Sequence, residues 1–177
     1  MKFSAKNLFP EKLQKIKFKV GTEWNKPSIK EVYFKNLKVN VDGRGDLTEL
    51  WSEPWSKDEP VAREVKHVYF NTTHQGVTKG WHVSEDTYSQ YTCIMGKMQV
   101  VLVDVRDGSS TFGFVDKFMI GSKNPSFIII PPGVLKAWKS LQGDSIIVNL
   151  LTSANKEDNF RYPWDSILTE IWEPKNG

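Results

Sequence analysis

From Thr78 to Thr152 the chain is a run of short apolar stretches interrupted at regular intervals by turn residues. Thr78–Val83, Ser89–Met95, Met98–Val105, Thr111–Ile120, Ser126–Ile130, Leu135–Leu141 and Ser145–Thr152 read as strands. Gly96-Lys97, Arg106-Asp107-Gly108, Gly121-Ser122-Lys123-Asn124-Pro125 and Gln142-Gly143-Asp144 punctuate them. Strands at this spacing predict an all-β sandwich or barrel. Upstream, Val32, Phe34, Leu37, Val39 and Val41 alternate imperfectly, which predicts a strand over Glu31–Val41, and Val65–Asn71 predicts another. Residues 51–62, with Pro54, Pro60 and two Trp, read as a loop. Helical period is confined to a weak signal at Pro10–Ile16, where Pro sits early in a first turn, and to the C-terminal segment. There are no internal repeats and no low-complexity tracts.

A chain of 177 residues is one domain with enough length to bury a sizeable core. The expected division is a basic leader over residues 1–28 and a β-domain over 29–177. Net charge is only +3, but residues 1–40 carry ten Lys against three Glu. Those lysines are spread out, with no Arg or aromatic interleaving, so they predict a solvated arm and no nucleic-acid stripe. Cys93 is the sole cysteine, which rules out an intrachain disulfide and fits a reducing cytoplasm. The first residues lack the apolar core of a signal peptide, and no apolar run approaches the roughly 20 residues of a membrane span. The expectation is a cytoplasmic protein without a membrane partner.

Along Lys79-Gly80-Trp81-His82-Val83 the strand period puts Trp81 on one face and Gly80 with His82 on the other. A glycine there leaves space beside the imidazole for a ligand. An imidazole, with an ordinary pKa of about 6.5, is suited to taking a proton at neutral pH. His67, His74 and His82 include no pair one residue apart, and Glu85 follows His82 at a spacing that places it on the opposite strand face. No metal site is expected. Cys93 lies in an apolar strand, where a thiol stays protonated and is a poor nucleophile.

Three motifs carry a resemblance. Asp42-Gly43-Arg44-Gly45-Asp46-Leu47-Thr48-Glu49 comes first, then Gly76-Val77-Thr78-Lys79-Gly80-Trp81-His82, then Asp104-Val105-Arg106-Asp107-Gly108-Ser109-Ser110-Thr111-Phe112-Gly113. In this order and spacing they resemble the dTDP-4-dehydrorhamnose 3,5-epimerase family, over about residues 29–175. The resemblance implies a cupin-like jelly-roll β-barrel with few helices, a homodimer with strands exchanged or sites completed across the interface, and no cofactor. It implies epimerisation of a nucleotide-linked 4-keto-6-deoxyhexose at C3, C5 or both. His82 matches the family's base. Asp165, in Tyr162-Pro163-Trp164-Asp165-Ser166-Ile167, matches the carboxylate that orients it, so a hydrogen bond between the two is expected. Arg44 and Glu49 match residues that reach the nucleotide sugar, in part from the neighbouring subunit. A guanidinium suits diphosphate because its planar fork binds oxygens two at a time. Lys79 stands where the family usually has Arg.

The chain also departs from the family. Ser89 occupies the place of a Lys that steadies the enolate oxygen, and Asn149 the place of a general-acid Tyr. His67 and Tyr69 replace a Gln and an Asn, and Lys136 or Trp138 stands near the place of a sugar-contacting His. Ser89, Tyr91 and Cys93 share a strand face, so Tyr91 is expected to point inward and supply the phenol that Asn149 lacks. These departures imply inversion at a single centre or an altered substrate. The alternative is a catalytically impaired member that binds a nucleotide sugar or another sugar ligand without turnover.

Overall fold

Two long strands organise the molecule. The computed structural model describes residues 3–55 and 63–173. Its strands are β1 (Lys19–Trp24), β2 (Tyr33–Asn36), β3 (Val39–Asp42), β4 (Gly45–Thr48), β5 (His67–Thr73), β6 (Thr78–Val83), β7 (Ser89–Asp104), β8 (Phe114–Gly121), β9 (Ser126–Ile130), β10 (Val134–Leu151) and β11 (Phe160–Arg161). β7 and β10, the two long strands, pair antiparallel from Ser89↔Leu151 to Val134↔Asp104, and β5, β6, β8 and β9 pair directly with them. Each was expected as two strands. Each is one strand bent in the middle, where the β10 register slips between Ser140 and Ile146. The bend depends on Gly96, whose φ is +76° and whose added Cβ would lie 2.6 Å from the Asp144 carbonyl oxygen.

The bent pair belongs to two faces. On one, the order is β5, the C-terminal half of β10, the N-terminal half of β7, β9 and β2. On the other it is β11, β6, the N-terminal half of β10, the C-terminal half of β7, β8 and β1. Inward side chains of both faces meet in one cluster that includes Tyr91, Ile128, Ile130 and Ile147 from the first and Val100, Leu102, Phe118 and Trp138 from the second. This is the jelly-roll arrangement expected for the chain. The apolar runs are nearly continuous because outward residues are buried too. Val101, Val103, Leu135 and Ala137 pack under an outer cluster with Trp81 and Trp172. Phe127 and Ile129 pack under Leu37, Leu150 and the flanking Trp51 and Trp55.

The N-terminal segment differs from a solvated arm. A short helix, α1 (Pro10–Leu13), delivers a fully buried Leu13, and Ala5 and Leu8 join the same outer cluster. β1 runs parallel to β8. The Ser28 and Ile29 amides both donate to Asp116, at 2.9 and 3.0 Å, so the chain is continuous in structure across residues 28 and 29. Most of the described lysines stay exposed while the apolar residues between them cover the sheet, which their charge density concealed in the sequence. The strand expected over Glu31–Val41 splits at Leu37. β2 joins the barrel, and β3 turns away and, among the described residues, pairs only with β4 as a separate two-stranded ribbon.

Candidate active site

A cavity of about 660 Å³ opens between the β5 and β6 edges of the two faces, beside the segment 153–161. β6 contributes Lys79, Gly80, His82 and Ser84, and β10 contributes Lys136, Trp138, Asn149 and Leu151. β7 adds Ser89 and Tyr91, and β5 adds His67, Tyr69 and Asn71. Asp158, Asn159 and Arg161 close the side towards the C-terminus.

Gly80 is required for a reason other than ligand space. Its φ is +141°, and a Cβ there would lie 2.7 Å from Ala137 Cα, so β6 can approach β10 only without a side chain at this position. Close approach brings His82 directly opposite Lys136 in the antiparallel ladder. Opposed residues share a face, so both side chains turn into the cavity. The His82 ring stacks on Trp138, with centroids 5.4 Å apart and planes at 18°. Tyr91 meets the same Trp138 edge-on at 5.8 Å, from the other face of the barrel.

Burial pushes the His82 imidazole down to about 4, helped by the positive charges of Lys136, Arg161 and Lys79 and opposed by a hydrogen bond with Asn159. The imidazole is therefore neutral at physiological pH. Burial also lowers Lys136 to about 8, with Asp158 acting in the opposite direction. The Lys136 Nζ donates one hydrogen bond, 3.4 Å long, to Ser84 Oγ. Desolvation holds the Tyr91 phenol well above its ordinary value, with a smaller contribution from Tyr69. Burial raises the Cys93 thiol to about 11, which leaves it protonated.

Asp165 takes no part in this arrangement. The turn that carries it packs behind β6, where the outward Trp81 Nε1 donates to the Trp164 carbonyl at 3.1 Å. The turn thus lies on the opposite side of the strand from His82, and Asp165 is exposed. The expected Asp165–His82 hydrogen bond is not formed, and Asn159 provides the contact instead. Asn159 lies where the chain returns towards β6 just before Arg161 pairs with His82. Its neighbour Asp158 anchors that return by accepting from Thr87 Oγ1 at 2.5 Å and from the Asp86 amide at 3.1 Å. The only sequence signal was a polar Asp-Asn pair just ahead of Phe160-Arg161-Tyr162.

Most of the other expected side chains do gather here. Lys79 Nζ donates to Asn71 Oδ1 at 2.7 Å and to the Thr72 carbonyl at 2.6 Å. His67 packs against Tyr69, with ring centroids 5.8 Å apart. Asn149 Nδ2 donates to Tyr69 Oη at 2.8 Å, and Asn149 Oδ1 accepts from the Gln90 amide at 3.3 Å. Ser89 is buried, and its Oγ has no hydrogen-bond partner among the described residues. Arg44 and Glu49 are elsewhere. They sit on and just after the β3–β4 ribbon, where Arg44 Nη2 donates to Asp42 Oδ2 at 2.6 Å, and neither lines the cavity.

The sequence model of dTDP-4-dehydrorhamnose 3,5-epimerase matches residues 26–174. The chain belongs to this family. Its members are carbohydrate epimerases, an isomerase class. A relative from Haloferax volcanii, described as a probable low-salt glycan biosynthesis epimerase, Agl13, is 31% identical over 144 residues, covering 78% of this chain and 90% of its own. The spore coat polysaccharide biosynthesis protein SpsL of Bacillus subtilis is 29% identical, covering 77% and 91%. Among solved structures, ChmJ of Streptomyces bikiniensis, a 3'-monoepimerase in complex with dTDP-quinovose, superposes with a TM-score of 0.70 at 24% identity, covering 76% of this chain and 71% of that one. That last likeness concerns the fold.

Proposed function

We propose that the protein epimerises a nucleotide-linked 4-keto-6-deoxyhexose, with His82 as the base. A ketone at C4 acidifies the C3 and C5 hydrogens. The neutral imidazole can take one of them, and Asn159 fixes the ring orientation. The observation that carries this reading is the placement of His82. It is desolvated, neutral, stacked on Trp138 and turned into a cavity of about 660 Å³, within the size range of small-ligand pockets. An amide partner orients the base without adding the negative charge that would stabilise an imidazolium. Base strength is thus modest, which suits a substrate whose ketone already activates the C–H bond.

Inversion needs a proton from the opposite side of the sugar. Tyr91 is the candidate donor, because it faces the cavity from the other sheet and touches the same Trp138. Asn149 cannot act as a general acid near neutral pH, and its amide is bonded to Tyr69. A single donor of this kind fits inversion at one centre better than at two. The relatives from Haloferax and Bacillus are described by glycan and polysaccharide biosynthesis, which supports a product destined for a surface glycan.

The functional unit is a homodimer. The ribbon bearing Arg44 exposes Val41 (76%) and Leu47 (63%), and the edge strand β5 exposes Phe70 (67%). A second copy covering these side chains would bring Arg44 and Glu49, which have no role in their own cavity, to the neighbouring site as a diphosphate contact. The test is product identification. Purified protein given dTDP-4-keto-6-deoxyglucose should yield a C3 or C5 epimer, resolved by proton coupling constants, with other nucleotide carriers as comparisons. Binding without conversion of any carrier would reject the enzymatic reading.

A further inference from the structure

Lys136 is a cation placed where an apolar residue would be easier to accommodate. It is 4% exposed, lies between inward-facing neighbours of β10 and projects into the cavity opposite His82. A buried ammonium costs free energy unless its three N–H donors are satisfied. Among the described residues it makes one hydrogen bond, at 3.4 Å, which is long for an N–H···O contact. Two donors are left facing the cavity. The charged and titratable groups around it are His82 and Lys79 on β6, Asp158 and Arg161 beyond β10, and Tyr91 on β7. Of these only Asp158 is acidic, and its carboxylate is already bonded to the Thr87 hydroxyl and to the amides of Glu85 and Asp86.

We propose that Lys136 is a catalytic residue whose ammonium donates hydrogen bonds to the sugar's C4 oxygen and holds the negative charge that develops there. The proposal rests on the epimerase reading and extends it. When His82 takes the proton from the carbon next to C4, the electron pair of the broken C–H bond moves into the ring and onto the C4 oxygen. Lys136 stabilises that enolate. A new C–H bond then forms on the opposite face, the electron pair returns, and the ketone is regenerated, so no external oxidant or reductant is consumed. The role falls to Lys136 because Ser89, buried and neutral, offers no charge at its own position. The cross-strand register also supplies a geometric reason. A base and an oxyanion donor on directly opposed residues can address adjacent atoms of one ring, a carbon-bound hydrogen and the neighbouring carbonyl oxygen.

The test compares wild-type protein with Lys136→Met and Lys136→Arg, using solvent deuterium incorporation into dTDP-4-keto-6-deoxyglucose. Melting temperature and dTDP affinity serve as controls. Loss of one oxyanion donor lowers turnover by about 100- to 1000-fold. The expected Met variant melts at the wild-type temperature or above, binds dTDP within about twofold and loses exchange by that factor, with kcat falling and KM little changed. The wild-type pH profile has an upper limb near pH 8, and this limb is absent from the residual activity of Lys136→Met. In Lys136→Arg, which keeps a charge that does not titrate, the limb is also absent while part of the turnover returns. A folded Met variant that exchanges at the wild-type rate overturns the proposal and leaves the epimerase reading intact. Wild-type protein that exchanges no nucleotide-linked 4-keto sugar overturns both.

Discussion

His82 and Lys136 stand directly opposite each other on antiparallel β6 and β10, and burial together with the Lys136 charge makes protonation of His82 harder. The pairing follows from Gly80, which lets the strands close, and from burial, which removes the water that would screen two cations. One partner is neutral at physiological pH as a result. The imidazole at about 4 is the one that gives way, and the lysine at about 8 remains mostly charged. A free base and a cation side by side are what proton removal next to a carbonyl requires.

Asn159 hydrogen-bonds His82 and raises its basicity against the larger, opposite effect of burial. Replacing it with Asp adds a negative charge beside the imidazole, which favours the protonated form and raises the His82 value by roughly 1–3 pH units. Because activity requires neutral His82, the acid limb of kcat/KM moves from near pH 4 to about pH 5–7. Asn159→Ala removes the hydrogen bond, leaves the limb at or below its wild-type position and lowers kcat on the order of 10- to 100-fold through loss of orientation. The pH–rate profiles of the two variants distinguish these effects.

Lys136→Met stabilises the fold. Desolvation lowers the lysine from 10.5 to about 8, so between these values the unfolded chain binds a proton that the folded one does not. Wild-type stability therefore rises with pH across that window, by at most about 3 kcal/mol. Below pH 8 the cost is fully present in the wild type and absent from the variant. Urea denaturation at pH 7 should show the variant ahead, and the two proteins should converge above about pH 10.5.

Gly80→Ala tests the packing that sets up the site. The new Cβ meets Ala137 on a backbone with φ of +141°. Overpacking and strain together cost about 2–4 kcal/mol. β6 must retreat from β10, so deuterium exchange should fall even at temperatures where the variant remains folded.

Leu47→Asp places a charge on the exposed ribbon without touching the cavity of its own chain. Light scattering after size exclusion should show wild type at twice the 20.3 kDa chain mass and the variant at the monomer mass. Arg44 would then be lost from the neighbouring site, raising KM for the nucleotide sugar. A wild-type monomer with full activity would dismiss the shared site.

Strands with their own hydrophobic signal were legible to the residue. Thr78–Val83 and Ser126–Ile130 are both observed as read. Gly96 and Gly143 looked like turns that end strands because a glycine with positive φ is equally suited to reversing a chain and to bending one, and only the pairing of β7 with β10 distinguishes the two. β1 was invisible because a parallel edge strand with charged, exposed side chains carries no alternation. In the site, His82, Tyr91, Ser89 and Asn149 could be placed because each lies on a strand whose inward face follows from period two, whereas Lys79 is in phase with the outward Trp81 and reaches the cavity where the β6–β10 register shifts. Asn159 could not, since its contact with His82 depends on how a loop returns across the barrel mouth. Asp165 was assigned by motif position, and the same motif packs behind the strand through Trp81 and Trp164.

The central claim, proton removal by His82 from a carbon beside a ketone, is tested most directly by solvent exchange. The protein is incubated with dTDP-4-keto-6-deoxyglucose in D2O, and C3 and C5 are followed by proton NMR beside a His82→Asn control. Deuterium at one carbon, reduced by at least about 100-fold in the control, is the predicted result. Equal incorporation by wild type and His82→Asn, at either carbon, would contradict the account.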